Sequence, residues 1–198
     1  MPFNPFGPTV GNSPLSVLPT WLPSDDGFAG ANGDPATTSG GGALVAGTLY
    51  LARLPFRSAG AVANLWPGVS ALGVGATTGN GTFVGLWSPT GQLLSASADC
   101  AASFNSGATQ YKPIGLLAAQ AVAAGSGPGQ WPYAGVLCNL VTTQVTLLRQ
   151  ANANTQSPQA VPNPGTLRWG QIPAFGALGN FNPASIAVTA FPVQWLWN

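Results

Sequence analysis

The sequence predicts an all-β protein, an antiparallel β-sandwich of jelly-roll type that carries an extended Pro/Gly-rich N-terminal arm. Three observations lead there. From residue 43 onward, runs rich in Val, Leu, Thr and aromatic residues recur at short intervals. Gly, Pro and Asn separate them, as expected of many short strands joined by turns. One hairpin is nearly explicit: in "FVGLWSPTGQLLSA", 83–96, Phe83, Gly85 and Trp87 alternate with Val84, Leu86 and Ser88. Its turn, Ser88-Pro89-Thr90-Gly91, has Pro second and Gly last, the residues such a turn favours.

Residues 1–42 are set apart from the rest of the chain. Pro2, Pro5, Pro8, Pro14, Pro19, Pro23 and Pro35 forbid a long helix or central strand. Apolar residues among them, Phe3, Phe6 and Trp21 above all, make the segment too greasy for a plain linker and mark it as a docking arm. "TTSGGG", 37–42, reads as the flexible joint that closes it.

The sandwich domain is expected over 43–198, with strands near 44–56, 60–69, 82–88, 92–98, 112–120, 131–139, 143–150 and 184–196. The alanines of "LLAAQAVAAGSG", 116–127, favour helix, whereas their neighbours favour strand, and strand is the expectation. The Pro-, Gly- and Asn-rich stretch 151–183 reads as one long loop, of a length usually kept for function or held by a neighbour. Pro192 puts the last strand at an edge or bulge.

Composition narrows the function. Only 5% of the 198 residues are charged, against about 25% in ordinary soluble domains. One lysine and a net charge of +1 are poor provision for the clustered Lys and Arg that neutralise a phosphate backbone, so no nucleic-acid partner is expected. A surface with so little charge repels copies of itself weakly and suits an assembly. The longest apolar run, 114–124, is shorter than the roughly 20 residues a bilayer-spanning helix needs. "MPFNPFGPTV" lacks the basic start and unbroken apolar stretch of a secretory signal, so the expectation is synthesis in the cytoplasm without membrane insertion. Cys100 and Cys138 are then expected as free, partly buried thiols.

The missing residue types argue against an enzyme. The chain has no His and no Glu, so neither Ser nor Cys has the usual base of a catalytic triad. Its four acids are Asp25, Asp26, Asp34 and Asp99, three of them in the arm, which is a poor supply for the carboxylate pair of a glycosidase or for a metal site. No cofactor or metal is expected. Aromatic rings and amides remain, a combination suited to neutral sugars, and Trp131, Tyr133 and Trp169 are the candidate glycan or partner contacts. Arg53 and Arg57, four apart on an expected strand, would share a face and bond backbone carbonyls at a strand edge or subunit contact, with Asp99 the in-domain carboxylate available.

Three segments carry a family likeness. "GTLYLARLPFRSAGAVANLW", 47–66, "FVGLWSPTGQLLSASAD", 83–99, and "GPGQWPYAGVLCNL", 127–140, in that order and spacing, resemble a β-sandwich module of tail-fibre and minor-tail virion proteins of phages that infect actinobacteria. The likeness spans roughly 43–140. It implies a virion surface protein and no catalytic residue. On that basis the expected role is a tail-associated fibre or tip subunit contacting host cell-wall glycans without cleaving them, built as a homotrimer and joined to other phage structural proteins. The alternative is a capsid decoration or head-fibre protein clamped to capsomers by its arm.

Overall fold

The computed structural model describes residues 27–32, 38–75, 81–150, 169–187 and 193–198. It is an all-β protein of antiparallel sheets, as the sequence predicts. The strands are β1 (Gly30–Ala31), β2 (Thr38–Ala43), β3 (Leu49–Arg53), β4 (Gly60–Pro67), β5 (Val69–Ala71), β6 (Phe83–Trp87), β7 (Leu93–Ala96), β8 (Ile114–Val122), β9 (Tyr133–Leu137), β10 (Thr146–Gln150), β11 (Trp169–Ile172) and β12 (Trp195–Trp197). The helix among the described residues, α1 (Ala101–Asn105), is one short turn and a half.

Three sheets result, ordered β1-β12-β4-β8, β2-β10-β5 and β11-β3-β9-β6-β7. The main core lies between the five-stranded sheet and the other two. Tyr50, Ala52, Val84, Leu86, Ala134 and Val136 come from the former, and Val62, Leu65, Val69, Leu147, Trp195 and Trp197 from the latter. Strand periodicity turns the alternate residues of β3, β6 and β9 the other way, where Leu49, Leu51, Trp87, Tyr133 and Leu137 form a second core. Ile172, Phe181 and Ile186 cover it. Every residue of β3 is therefore buried.

Trp87 explains two glycines. Gly85 and Gly135 face each other in the β6–β9 register, and a Cβ on either would come within 2.8 Å of the Trp87 ring. Only glycine lets the indole lie flat on the sheet there. Its Nε1 donates to the Gly179 carbonyl at 2.8 Å, which fastens the covering segment down.

The expected hairpin is present as β6 and β7. In its turn Gly91 N donates to Ser88 O at 2.9 Å. The alanine-rich stretch is strand, not helix: β8 runs at the sheet edge beside β4. A register shift opposite Val62–Asn64 lifts its middle away from β4, and Ala118 N donates instead to Ser95 Oγ of β7 at 3.2 Å. β8 thus turns the corner from one sheet to the other.

Three expectations need correction. "TTSGGG" is no joint in its described part, since Thr38–Ala43 pairs with β10 as β2. A Cβ on Gly41 would collide with Ser70 and Leu147, so the glycine serves close packing, not flexibility. The expected loop 151–183 contains β11, which pairs with β3 through Trp169–Ile172, and residues 151–168 lie outside the described ones. The expected last strand, 184–196, begins as a 3-10 turn at Pro183–Ser185, touches β11 through the Gln171–Ala187 bridge, and among the described residues is regular only at β12; residues 188–192, Pro192 with them, lie outside the described ones. Asn182, whose Oδ1 accepts from Ala184 N at 3.0 Å, favours that turn over extension.

Candidate functional site

The outer face of β4 carries the aromatic–amide surface. The same register shift sets its alternation, so that Val62, Leu65 and Pro67 are buried while Asn64 and Trp66 turn out, half-buried. Asn198, which comes directly after β12, joins them. Its Oδ1 accepts from Asn64 Nδ2 at 3.1 Å and from Trp66 Nε1 at 3.2 Å. Its backbone carbonyl accepts from Ala63 N at 2.7 Å and Asn64 N at 2.9 Å. Phe28 reaches across β12 and meets Trp66 edge-on, with ring centroids 5.1 Å apart at 86°. The indole is thereby held in one orientation. Asn64 Oδ1 and Asn198 Nδ2 keep one free acceptor and one free donor beside it among the described residues. A pyranose-sized ring could lay its C–H face on the indole and its hydroxyls on these amides.

A separate cleft of about 130 Å³ lies at the start of β4, lined among others by Ala29, Phe56, Arg57, Ser58 and Trp197. Its floor is the Phe56–Trp197 stack, with centroids 5.5 Å apart at 28°. Arg57 stands exposed at its lip. The neighbouring strand explains that position: Phe56 N bonds back to Leu54 O at 2.9 Å, a tight turn around Pro55 that ends the alternation of β3.

Against protein-family models, curated proteins and solved structures, the chain has no match.

The candidate contacts Trp131, Tyr133 and Trp169 are all buried. Trp131 Nε1 is used by Gly125 O at 3.0 Å. Tyr133 packs in the second core against Phe181, and Trp169 belongs to the main core. None offers a face on which a sugar could stack: Tyr133 and Trp169 lie on the covered faces of the five-stranded sheet, and Trp131, just before β9, is itself buried. Phe3, Phe6 and Trp21, the expected docking residues, lie outside the described residues.

Arg53 and Arg57 do not share a face. Arg53 is 3% exposed, and its Nη1 donates to the Trp131 carbonyl at 2.6 Å, so it does bond a backbone carbonyl. Burial pushes its guanidinium below the usual arginine range, and the neighbouring Tyr133 offsets part of that. Asp99 instead accepts from Ala101 N at 3.0 Å. Both cysteines are free and buried. Sequence reasoning does not single out Trp66, Asn64 and Asn198 as a set, because Asn198 joins the other two only through the β12–β4 pairing. The spacing Asn64-x-Trp66 is the available signal, since a polar residue two before an aromatic on a strand marks the wet face.

Proposed function

We propose that this chain is a structural protein of a bacteriophage virion, a tail-associated fibre or tip (minor tail) subunit that contacts host surface glycans without cleaving them. The observation that carries the reading is the fixed, half-exposed Trp66 with Asn64 and Asn198 beside it on the outer face of an all-β scaffold. The likeness of residues 43–140 to tail-fibre modules, the near-uncharged composition and the want of His and Glu support it from the sequence. Homotrimerisation and attachment to other phage structural proteins belong to the same proposal.

A second reading, a capsid decoration or head-fibre protein, is favoured by one observation. Ala29 and Asn32 donate to the carbonyls of Trp197 and Trp195 at 2.8 and 3.2 Å, so the chain at 29–32 is fastened to β12, the fixed base that a clamping arm requires. Immunogold labelling of intact particles with an antibody against residues 43–150 separates the two. Label at the tail tip supports the glycan-contacting subunit, and label over the capsid supports decoration. Absence of label from purified particles overturns both.

A further inference from the structure

Gly115 of β8 is the register partner of Asn64 across the β4–β8 ladder, and paired residues share a face of the sheet. It is exposed. Among the described residues one atom comes within 4 Å of a Cβ built on it, Asn64 Oδ1 at 3.5 Å. That is ordinary contact, and Gly115 is not among the positive-φ glycines, so neither packing nor backbone conformation asks for glycine there. The same oxygen is the free acceptor beside Trp66. Glycine at 115 leaves it open from the β8 side, where a longer side chain would cover it.

Leu117 bounds this opening. Ile114 is buried and Leu116 packs on the main core, so Gly115 and Leu117 share the outer side of β8. Leu117 is 77% exposed, and strand rise puts it about 7 Å beyond Gly115. It forms the wall of a shelf whose floor is the glycine backbone. Trp66 stands on the other side of Asn64: its Nε1 donates to Asn198 Oδ1, so the indole leans toward β12 and away from β8. Two residues along β4 and one strand across separate Trp66 from Gly115, about 8 Å. A single pyranose ring stacked on the indole does not fill the shelf as well.

We infer that the shelf over Gly115 is a second sugar subsite, and that the ligand of the Trp66 patch is a neutral glycan of at least two rings lying across the strands, one stacked on Trp66 and the next seated between Asn64 and Leu117. This deepens the proposed function and rests on it. The second ring donates a hydroxyl to Asn64 Oδ1 and lays C–H groups on Leu117, while Asn198 Nδ2 is left for the first ring. Trp66, Asn64, Asn198 and Leu117 carry no charge, so the glycan is held by hydrogen bonds and apolar contact, and its binding is insensitive to salt.

The test titrates the full-length protein with neutral fragments released from actinobacterial cell walls and sorted into one ring and two, at low and high salt. The two-ring fragment is expected to bind roughly threefold to tenfold more tightly than the one-ring fragment, equally at both salt concentrations. G115V is expected to remove that gain and leave one-ring binding as in wild type. Valine suits a strand, and the melting temperature checks that the variant is folded. L117S reduces the gain from the other wall without touching Asn64, and W66A weakens binding of both fragments. A two-ring fragment that binds wild type no better than one ring, or a folded G115V that keeps the gain, overturns the inference and leaves the glycan reading standing. A gain that vanishes at high salt overturns the neutral ligand. No binding of either fragment by wild type overturns both the inference and the reading beneath it. Should G115V not fold, the wild-type comparison and L117S still decide, and a gain unchanged in L117S counts against the shelf.

Discussion

The guanidinium carbon of Arg53 lies 3.9 Å from the centre of the Tyr133 ring, its register partner across the β3–β9 ladder. A cation is thus held in the second core by a π face and by the Trp131 carbonyl. The flat guanidinium can satisfy both at once, whereas an ammonium cannot. R53K is therefore expected to destabilise the fold by about 1–3 kcal/mol, read as a lowered urea midpoint with an unchanged slope.

Gly135 gives a prediction of opposite sign in volume. G135A adds a methyl group that would sit 2.7 Å from Leu51 and 2.8 Å from Trp87. Overpacking of this kind costs about 1–3 kcal/mol. Because Trp87 must move, its emission spectrum changes in the folded state as well, and a G135A variant with wild-type stability and spectrum would show that the indole has more room than the structure gives it.

Stability should fall in alkali, and Cys100 is a principal cause. Burial pushes its thiol from 9.0 up to about 12. In the unfolded chain the thiol loses its proton near pH 9, while in the folded chain it keeps it, so between these values the native state binds more protons and stability falls as pH rises. The slope from this group is about 1.4 kcal/mol per pH unit. Cys138, Tyr50 and Tyr133 are raised by burial too and act in the same direction. Urea titrations at pH 8, 9 and 10 should show the decline, and C100A should make it shallower.

Neither cysteine should be trapped as a disulfide with the other. Thr82 stands between them: Cys100 N and Sγ both donate to Thr82 O, at 2.8 and 3.3 Å, while Asn139 N, next to Cys138, donates to Thr82 Oγ1 at 3.1 Å. Thiols on either side of an intervening strand are separated by about two strand spacings, more than a disulfide spans. Incubation with oxidised glutathione should leave both thiols titratable once the protein is unfolded.

How much of the fold and the site is legible in the sequence depends on the physics of each stretch. The 83–96 hairpin can be read because turn chemistry and alternation agree there. Gly41 of β2 cannot, because a close approach to Ser70 and Leu147 leaves the same composition as a flexible joint. β11 is four residues long amid turn formers, too short to show a period. The aromatic site is hidden for a related reason. With both faces of the five-stranded sheet covered, Tyr133 and Trp169 look in sequence like any exposed aromatic, and the second cover, Phe181 and Ile186, comes from a stretch that reads as loop. Trp66 differs from them only through its half-buried neighbour Asn64 and the distant Asn198.

Whether Trp66 carries the glycan contact is decided by sedimentation of the purified full-length protein with actinobacterial cell walls, comparing wild type with W66A. Circular dichroism and the melting temperature confirm that the variant is folded. Wild type is expected to co-sediment and W66A to lose most of this binding, since stacking on one aromatic contributes much of the contact area for a sugar ring. Undiminished binding by folded W66A, or no binding by wild type, would overturn that role.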